Sequence, residues 1–208
     1  MMGTWRDVSI PMHPDMVVWP GDPPFRFEPN ARIARGDSCN TSTISMSTHT
    51  GTHCDAPWHF EADGKRLHEI HPTVFFGNAR VLDMTDVADT IRAEHLGDDP
   101  LPPRVLFKTR MSARPVDAAF DTQFVALDTD AAERLVADGV RLVGVDYLSV
   151  APYKQPGQPT HHTLLRNDVF VVEGLRLEGI AGGTYPFVVL PLPLVGADGA
   201  PCRAFIQV

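Results

Sequence analysis

The sequence predicts one mixed, β-rich α/β domain. Three observations carry that expectation. Apolar and β-branched runs of strand length recur along the chain: TSTISMS at 41–47, RVLFKT at 104–109, VRLVGVD at 140–146 and VFVVEGLRL at 169–177. One segment, within 128–150, carries helix signals at both ends. Nineteen prolines and sixteen glycines exclude a helical bundle, because proline removes a ladder donor and both residues favour turns. A chain of 208 residues is long enough to bury a core, so residues 1–208 are read as a single domain.

The elements follow in order. In 41–47, Ile44 and Met46 alternate with small polar residues, which suits a strand with one apolar face. Residues 79–84 and 104–109 are further strands, and 89–100 holds a short helix before DDPLPP. Thr129 or Asp130 can cap a helix whose apolar face is Leu135 and Val136 and whose stop is Gly139. The run VRLVGVD then reads as a buried strand, with Asp146 just past its apolar part. VFVVEGLRL alternates around Glu173, and FVVLPLPLVG and RAFIQV supply two closing strands.

Composition excludes several functions. A formal charge of -8 argues against nucleic acid as a partner, since phosphate binding needs a basic surface. No apolar run reaches the roughly 18–20 residues that cross a bilayer. The opening MMGTWRDVSIPMHPDM lacks an apolar signal core, so the expected compartment is the cytoplasm. Cys39, Cys54 and Cys202 are odd in number and share no CxxC spacing, which indicates neither a disulfide framework nor a zinc ribbon. Cys54 lies between His53 and Asp55, so a cysteine nucleophile with a histidine base is the one alternative those thiols raise.

The chemistry concentrates at 47–60, STHTGTHCDAPWHF. His49 and His53 are four apart, but Gly51 between them and Pro57 beyond break any long helix, and no HExxH glutamate is present. A loop or distorted turn can still converge both rings. His53 and Asp55 are two apart, a spacing that aims both side chains the same way in extended chain. Two imidazoles and a carboxylate suit a borderline divalent ion and leave room for water. His59, six residues beyond His53, can ligate or act as a general acid/base, because imidazole titrates near neutrality. His68 and His71 follow the charged EADGKR and read as surface residues.

HTGTHCDAPWHF resembles H-x-G-T/A-H-x-D-x-P-x-H-F/Y, the signature of the cyclase family of metal-dependent hydrolases, whose members include bacterial kynurenine formamidases. The likeness runs through VVWPGDPPF, PPRVLFKT, GVRLVGVDYLSV, HHTLLRNDVFVVEGL and PLPLVGADGAPCRAFI, in the family's order. It implies a swivelling β/β/α fold, a homodimer or larger homo-oligomer, and two divalent ions, zinc or manganese. By this likeness His49, His53 and Asp55 bind one metal, Asp55 bridges to a second, and Glu173 contacts both. His161 completes the second site at the family's twelve-residue interval from Glu173, with His162 as the adjacent alternative. The two cannot both face the metals if the approach to Glu173 is strand-like.

The resemblance further implies that His59 is the catalytic acid/base and that Trp19 meets the substrate. Two cations would acidify a water to hydroxide and polarise an amide carbonyl, with His59 protonating the leaving nitrogen. The implied substrate is a small amide such as N-formyl-L-kynurenine. At 144–149, however, the chain reads GVDYLS where the formamidases carry G-I/V-D-T-P-S, which keeps open a cyclic amide such as isatin. A non-catalytic metal-binding protein of this fold is expected to have lost a ligand or His59, and every matched position is present.

Overall fold

The computed structural model describes residues 3–208. Twelve strands run in chain order: β1 (Trp5–Asp7), β2 (Arg26–Ala31), β3 (Thr41–Ser45), β4 (His53–Asp55), β5 (Phe76–Asp83), β6 (Thr90–Ile91), β7 (Arg104–Lys108), β8 (Ala126–Leu127), β9 (Leu142–Val145), β10 (Phe170–Glu173), β11 (Gly183–Pro191) and β12 (Gly199–Gln207). Two α-helices join them, α1 (Thr129–Ala137) and α2 (Pro159–Arg166). The main sheet has the order β1-β12-β11-β5-β7-β9-β10-β4, and an added β12–β4 pairing closes it into a seven-strand mixed barrel with β1 outside the ring. The domain is thus a single mixed α/β unit rich in strand.

Strand alternation makes the barrel. In β7, Leu106 points inward while Val105 and Phe107 point outward, and in β10 Phe170 and Val172 point inward while Val171 points out. Inward residues from all seven barrel strands, among them Cys54, Ala79, Leu106, Leu142, Val172, Phe187 and Ala204, fill one buried cluster. The outward residues meet α1 and α2 through Leu135, Leu164 and Leu165. These helices cover only one side of the ring.

The expected strands at 41–47, 79–84, 104–109 and 140–146 all form, as do the three later ones. The 89–100 segment forms a 3-10 turn, Ala93–Leu96, instead of an α-helix. At α1 the cap is Asp128, one residue earlier than expected, because its carboxylate accepts the Thr129 amide at 2.7 Å. Gly139 ends the helix with φ +78°. Residues 159–166 are a correction of larger consequence: the stretch is helical where a strand-like approach to Glu173 was expected. Pro159 stands at the first helical position, and His161, Leu164 and Leu165 share one buried face at helical spacing.

Candidate metal centre and active-site cavity

β4 is three residues long yet paired on both sides, antiparallel to β10 and to β12. Its middle residue, Cys54, points into the barrel, so His53 and Asp55 project together toward the helical side. Glu173 stands directly opposite His53 across the β4–β10 ladder. His53 Nε2 lies 3.4 Å from Asp55 Oδ1 and 3.3 Å from Glu173 Oε2, and all three residues are buried. The buried face of α2 brings His161 Nε2 to 3.6 Å from Glu173 Oε1.

The other side of the centre comes from turns. His49 precedes β4 and sets Nδ1 at 2.9 Å from Asp55 Oδ1 and Nε2 at 3.1 Å from Asp198 Oδ2. A 3-10 turn, Pro57–His59, started by its proline, swings His59 back over His49, and the rings stack with centroids 3.9 Å apart. Phe60 follows and stacks on His161 at 4.3 Å. These groups open into a cavity of about 460 Å³ lined also by Trp19, Asp22, Gln158, Leu148 and Ser149. Trp19 is packed edge-on by Phe120 at 5.2 Å and Tyr153 at 5.6 Å, leaving an aromatic wall on one side.

The electrostatics call for positive charge. Burial opposes ionisation of Asp55, yet His49 and then His53 hold it well below the usual carboxylate range. Burial and the Asp55 charge both push Glu173 up, but His161 and His53 outweigh them and leave it lowered. Burial works against a charged His49, and the Asp198 and Asp55 carboxylates overcome it to raise the ring to about 9. For His53 the same burial is overcome by Asp55 and Glu173, which raise it well above its ordinary value. Burial dominates only at His59, which falls below the ordinary imidazole value despite the attraction of Asp55.

The donor set fits a divalent ion. One ligand atom each from His53, Asp55 and Glu173 lie within 4.8 Å of one another, and so do those of His49, Asp55 and His59. Asp55 belongs to both groups, whereas His49 groups with His59 instead of with His53, and His161 falls in neither group. Imidazole nitrogens with carboxylate oxygens suit zinc or manganese.

All the singled-out residues except the alternatives converge here. His162 turns to the outside of α2, where its Nδ1 pairs with Glu61 at 2.7 Å. Cys54 is no nucleophile: it is fully buried inside the barrel, and contact with Cys202 followed by burial pushes its thiol up. His68 and His71 are exposed, as expected. Asp198, Gln158 and Asp22 were not singled out from sequence. Asp22 and Asp198 stand in plain view within WPGD and GADGAP, but a lone aspartate in a turn motif reads as turn chemistry until the fold closes.

The architecture and the convergent cluster define a hydrolase class. A profile of the cyclase family matches residues 6–152, and the chain belongs to that family of metal-dependent hydrolases. It is 37% identical over 214 residues to a kynurenine formamidase of Geobacillus thermodenitrificans, covering 100% of this chain and 99% of the relative. A solved structure described as a predicted metal-dependent hydrolase from Bacillus stearothermophilus superposes with a TM-score of 0.84 at 34% identity, covering 98% of this chain and 97% of that one. Isatin hydrolase A from Labrenzia aggregata shares the fold, with a TM-score of 0.87 at 24% identity over 99% of this chain and 93% of its own.

Proposed function

We propose that this chain is an amidohydrolase of the kynurenine formamidase type that converts N-formyl-L-kynurenine and water to L-kynurenine and formate. The observation that carries the proposal is the convergence of His49, His53, Asp55, His59, His161 and Glu173 around one cavity whose outer wall is aromatic. Full-length relatives of that name support the choice of substrate.

His49, His53 and Asp55 would hold one ion, with Asp55 and Glu173 shared with a second ion that His161 completes. Zinc fits this donor set, and manganese fits it as well. When bound, such ions supply Lewis acidity that acidifies water and polarises a carbonyl. The chain's own residues do the rest. Trp19 presents an apolar face against which an aryl ring can orient, backed by Phe120 and Tyr153. His59, half-buried and kept mostly neutral at pH 7 by its lowered pKa, takes a proton from the attacking water. As the C–N bond breaks, His59 returns that proton to the departing arylamine nitrogen, and the formyl carbon leaves as formic acid, which gives its remaining acidic proton to solvent to become formate.

A second reading has one observation of its own. Leu148, which stands where D-T-P-S has proline, lines the cavity, so that difference bears on what fits there. A cyclic amide such as isatin is the substrate that reading names. Parallel assays with N-formylkynurenine and isatin, on protein first analysed for metal, decide between the two. Activity that is untouched by chelator, in protein free of transition metal, sinks both.

Three further assignments accompany the proposal. The barrel with its one-sided helical layer fits the swivelling β/β/α type. Free cysteines agree with a cytoplasmic enzyme, and among the described residues no helix is long and apolar enough to cross a membrane. A homodimer or larger homo-oligomer is supported by the β2–β3 hairpin, whose directly paired Phe27 and Ile44 are each 52% exposed.

A further inference from the structure

The strand- and helix-borne imidazoles of the centre have one nitrogen already engaged away from the carboxylate cluster. His53 Nδ1 lies 2.9 Å from the Gly51 carbonyl oxygen, and His161 Nδ1 lies 3.3 Å from Gln158 Oε1. In both rings this leaves Nε2 facing Glu173. His49 is turned the other way: Nδ1 faces Asp55 and Nε2 faces Asp198. A ring that gives one nitrogen to a cation keeps a proton on the other, and that proton needs an acceptor.

We infer that Asp198 is the positioning residue of this centre: its carboxylate accepts the Nε2–H of His49 and so turns Nδ1 of that ring toward the ligand cluster, where a bound ion would take the place of the Nδ1 proton. The inference rests on the metal-dependent reading above and concerns how the site is held.

Asp198 is itself fixed for the task. Thr48 Oγ1 donates to its second oxygen, Oδ1, at 3.1 Å. Its backbone carbonyl accepts the Ala56 amide at 2.8 Å, which ties the residue to the end of β4. The next residue completes the seat. A Cβ at Gly199 would lie 2.8 Å from His49 Cε1, so the ring can occupy its place only because residue 199 is glycine. Asp198 therefore sets the rotation of the ring, and Gly199 leaves the room for it. His59 Nδ1 is 3.8 Å from the same Asp198 oxygen, too long for a hydrogen bond, which assigns the carboxylate to His49 instead of to the acid/base.

The test is zinc affinity, read by competition with a chromophoric chelator, for the full-length protein and three variants. Asp198→Ala should bind zinc about 10–100-fold more weakly, the usual effect of removing a partner that orients a ligating histidine. Asp198→Asn should stay within about fivefold of the parent, because its amide oxygen still accepts from Nε2 and its N–H reaches Thr48. Asp168→Ala removes a surface carboxylate that pairs with Lys65 outside the cavity and should leave zinc affinity unchanged. Unchanged melting of the metal-free variants separates positioning from folding. If Asp198→Ala destabilises the fold, Thr48→Val replaces it as the test and should weaken zinc binding to a lesser degree.

Wild-type affinity in Asp198→Ala overturns the inference and leaves the metal reading standing. Asp198→Asn falling as far as alanine also overturns it, since charge and not the acceptor would then be what matters. A parent protein that binds no zinc overturns the metal reading and this inference together.

Discussion

The centre has two halves that are held by different forces. His53, Asp55 and Glu173 sit on paired strands, and their side chains are 2%, 1% and 5% exposed. His49, His59 and Asp198 sit on turns, and theirs are 14%, 29% and 36% exposed. In the strand half, the pairing of β4 with β10 and β12 sets where the side chains point, and backbone groups of Gly51 and Val150 hold His53 and Glu173. In the turn half, side chains hold one another, through the Thr48–Asp198–His49–Asp55 chain and the His49–His59 stack. The buried half is therefore suited to permanent ligation. The half that meets solvent carries the group expected to exchange protons.

Breaking the strand half should have the largest effect. Asp55 is the carboxylate shared by both donor groups, so Asp55→Ala is expected to lose bound metal and reduce turnover to background. Metal analysis and an N-formylkynurenine assay on the same sample check this, and a variant that keeps its metal would show that Asp55 is not shared.

The contribution of α2 comes next. His161→Ala should abolish activity and reduce the bound metal, whereas His162→Ala, on the outward face beside Glu61, should leave both near wild type. The reverse pattern would mean that the helix turns its other face to the centre in the working enzyme.

The turn half should fail differently. His59→Ala is expected to keep its metal while kcat falls about 10²–10⁴-fold, the range for general acid–base catalysis. Loss of metal in that variant would make His59 a ligand, which its place beside His49 and Asp55 permits geometrically.

The smallest effect belongs outside both halves. Asp128→Ala removes the cap of α1 and should lower stability by about 0.5–2 kcal/mol without changing kcat. Denaturant unfolding and a rate measurement on one preparation test both parts. A matching fall in kcat would show that α1 transmits strain to the centre.

Much of the strand half was legible because its signals are local. His53 and Asp55 are two apart, and alternation in a strand aims them together wherever that strand lies. Cys54 was readable only as an ambiguity: its neighbours suggested chemistry, and barrel closure decided that it faces apolar side chains. The strand-like expectation for 159–166 fails because these eight helical residues lead almost directly into β10, whose periodicity dominates the segment. The helical spacing of His161, Leu164 and Leu165 and the leading Pro159 were the available signal. A helix also turns neighbours to different faces, and here His161 faces Glu173 while His162 faces Glu61.

By itself the sequence determined which side chains could bind a cation, the strands that carry most of them and the capped helix over 129–137. Only the tertiary structure decided that the sheet closes on itself, through a β12–β4 pairing between residues that are far apart in the chain. That closure carries Asp198 to His49, 149 positions away, and forces a glycine beside the ring. Local propensity cannot announce such contacts, because their free energy appears only after the chain has spent the entropy of bringing distant strands together.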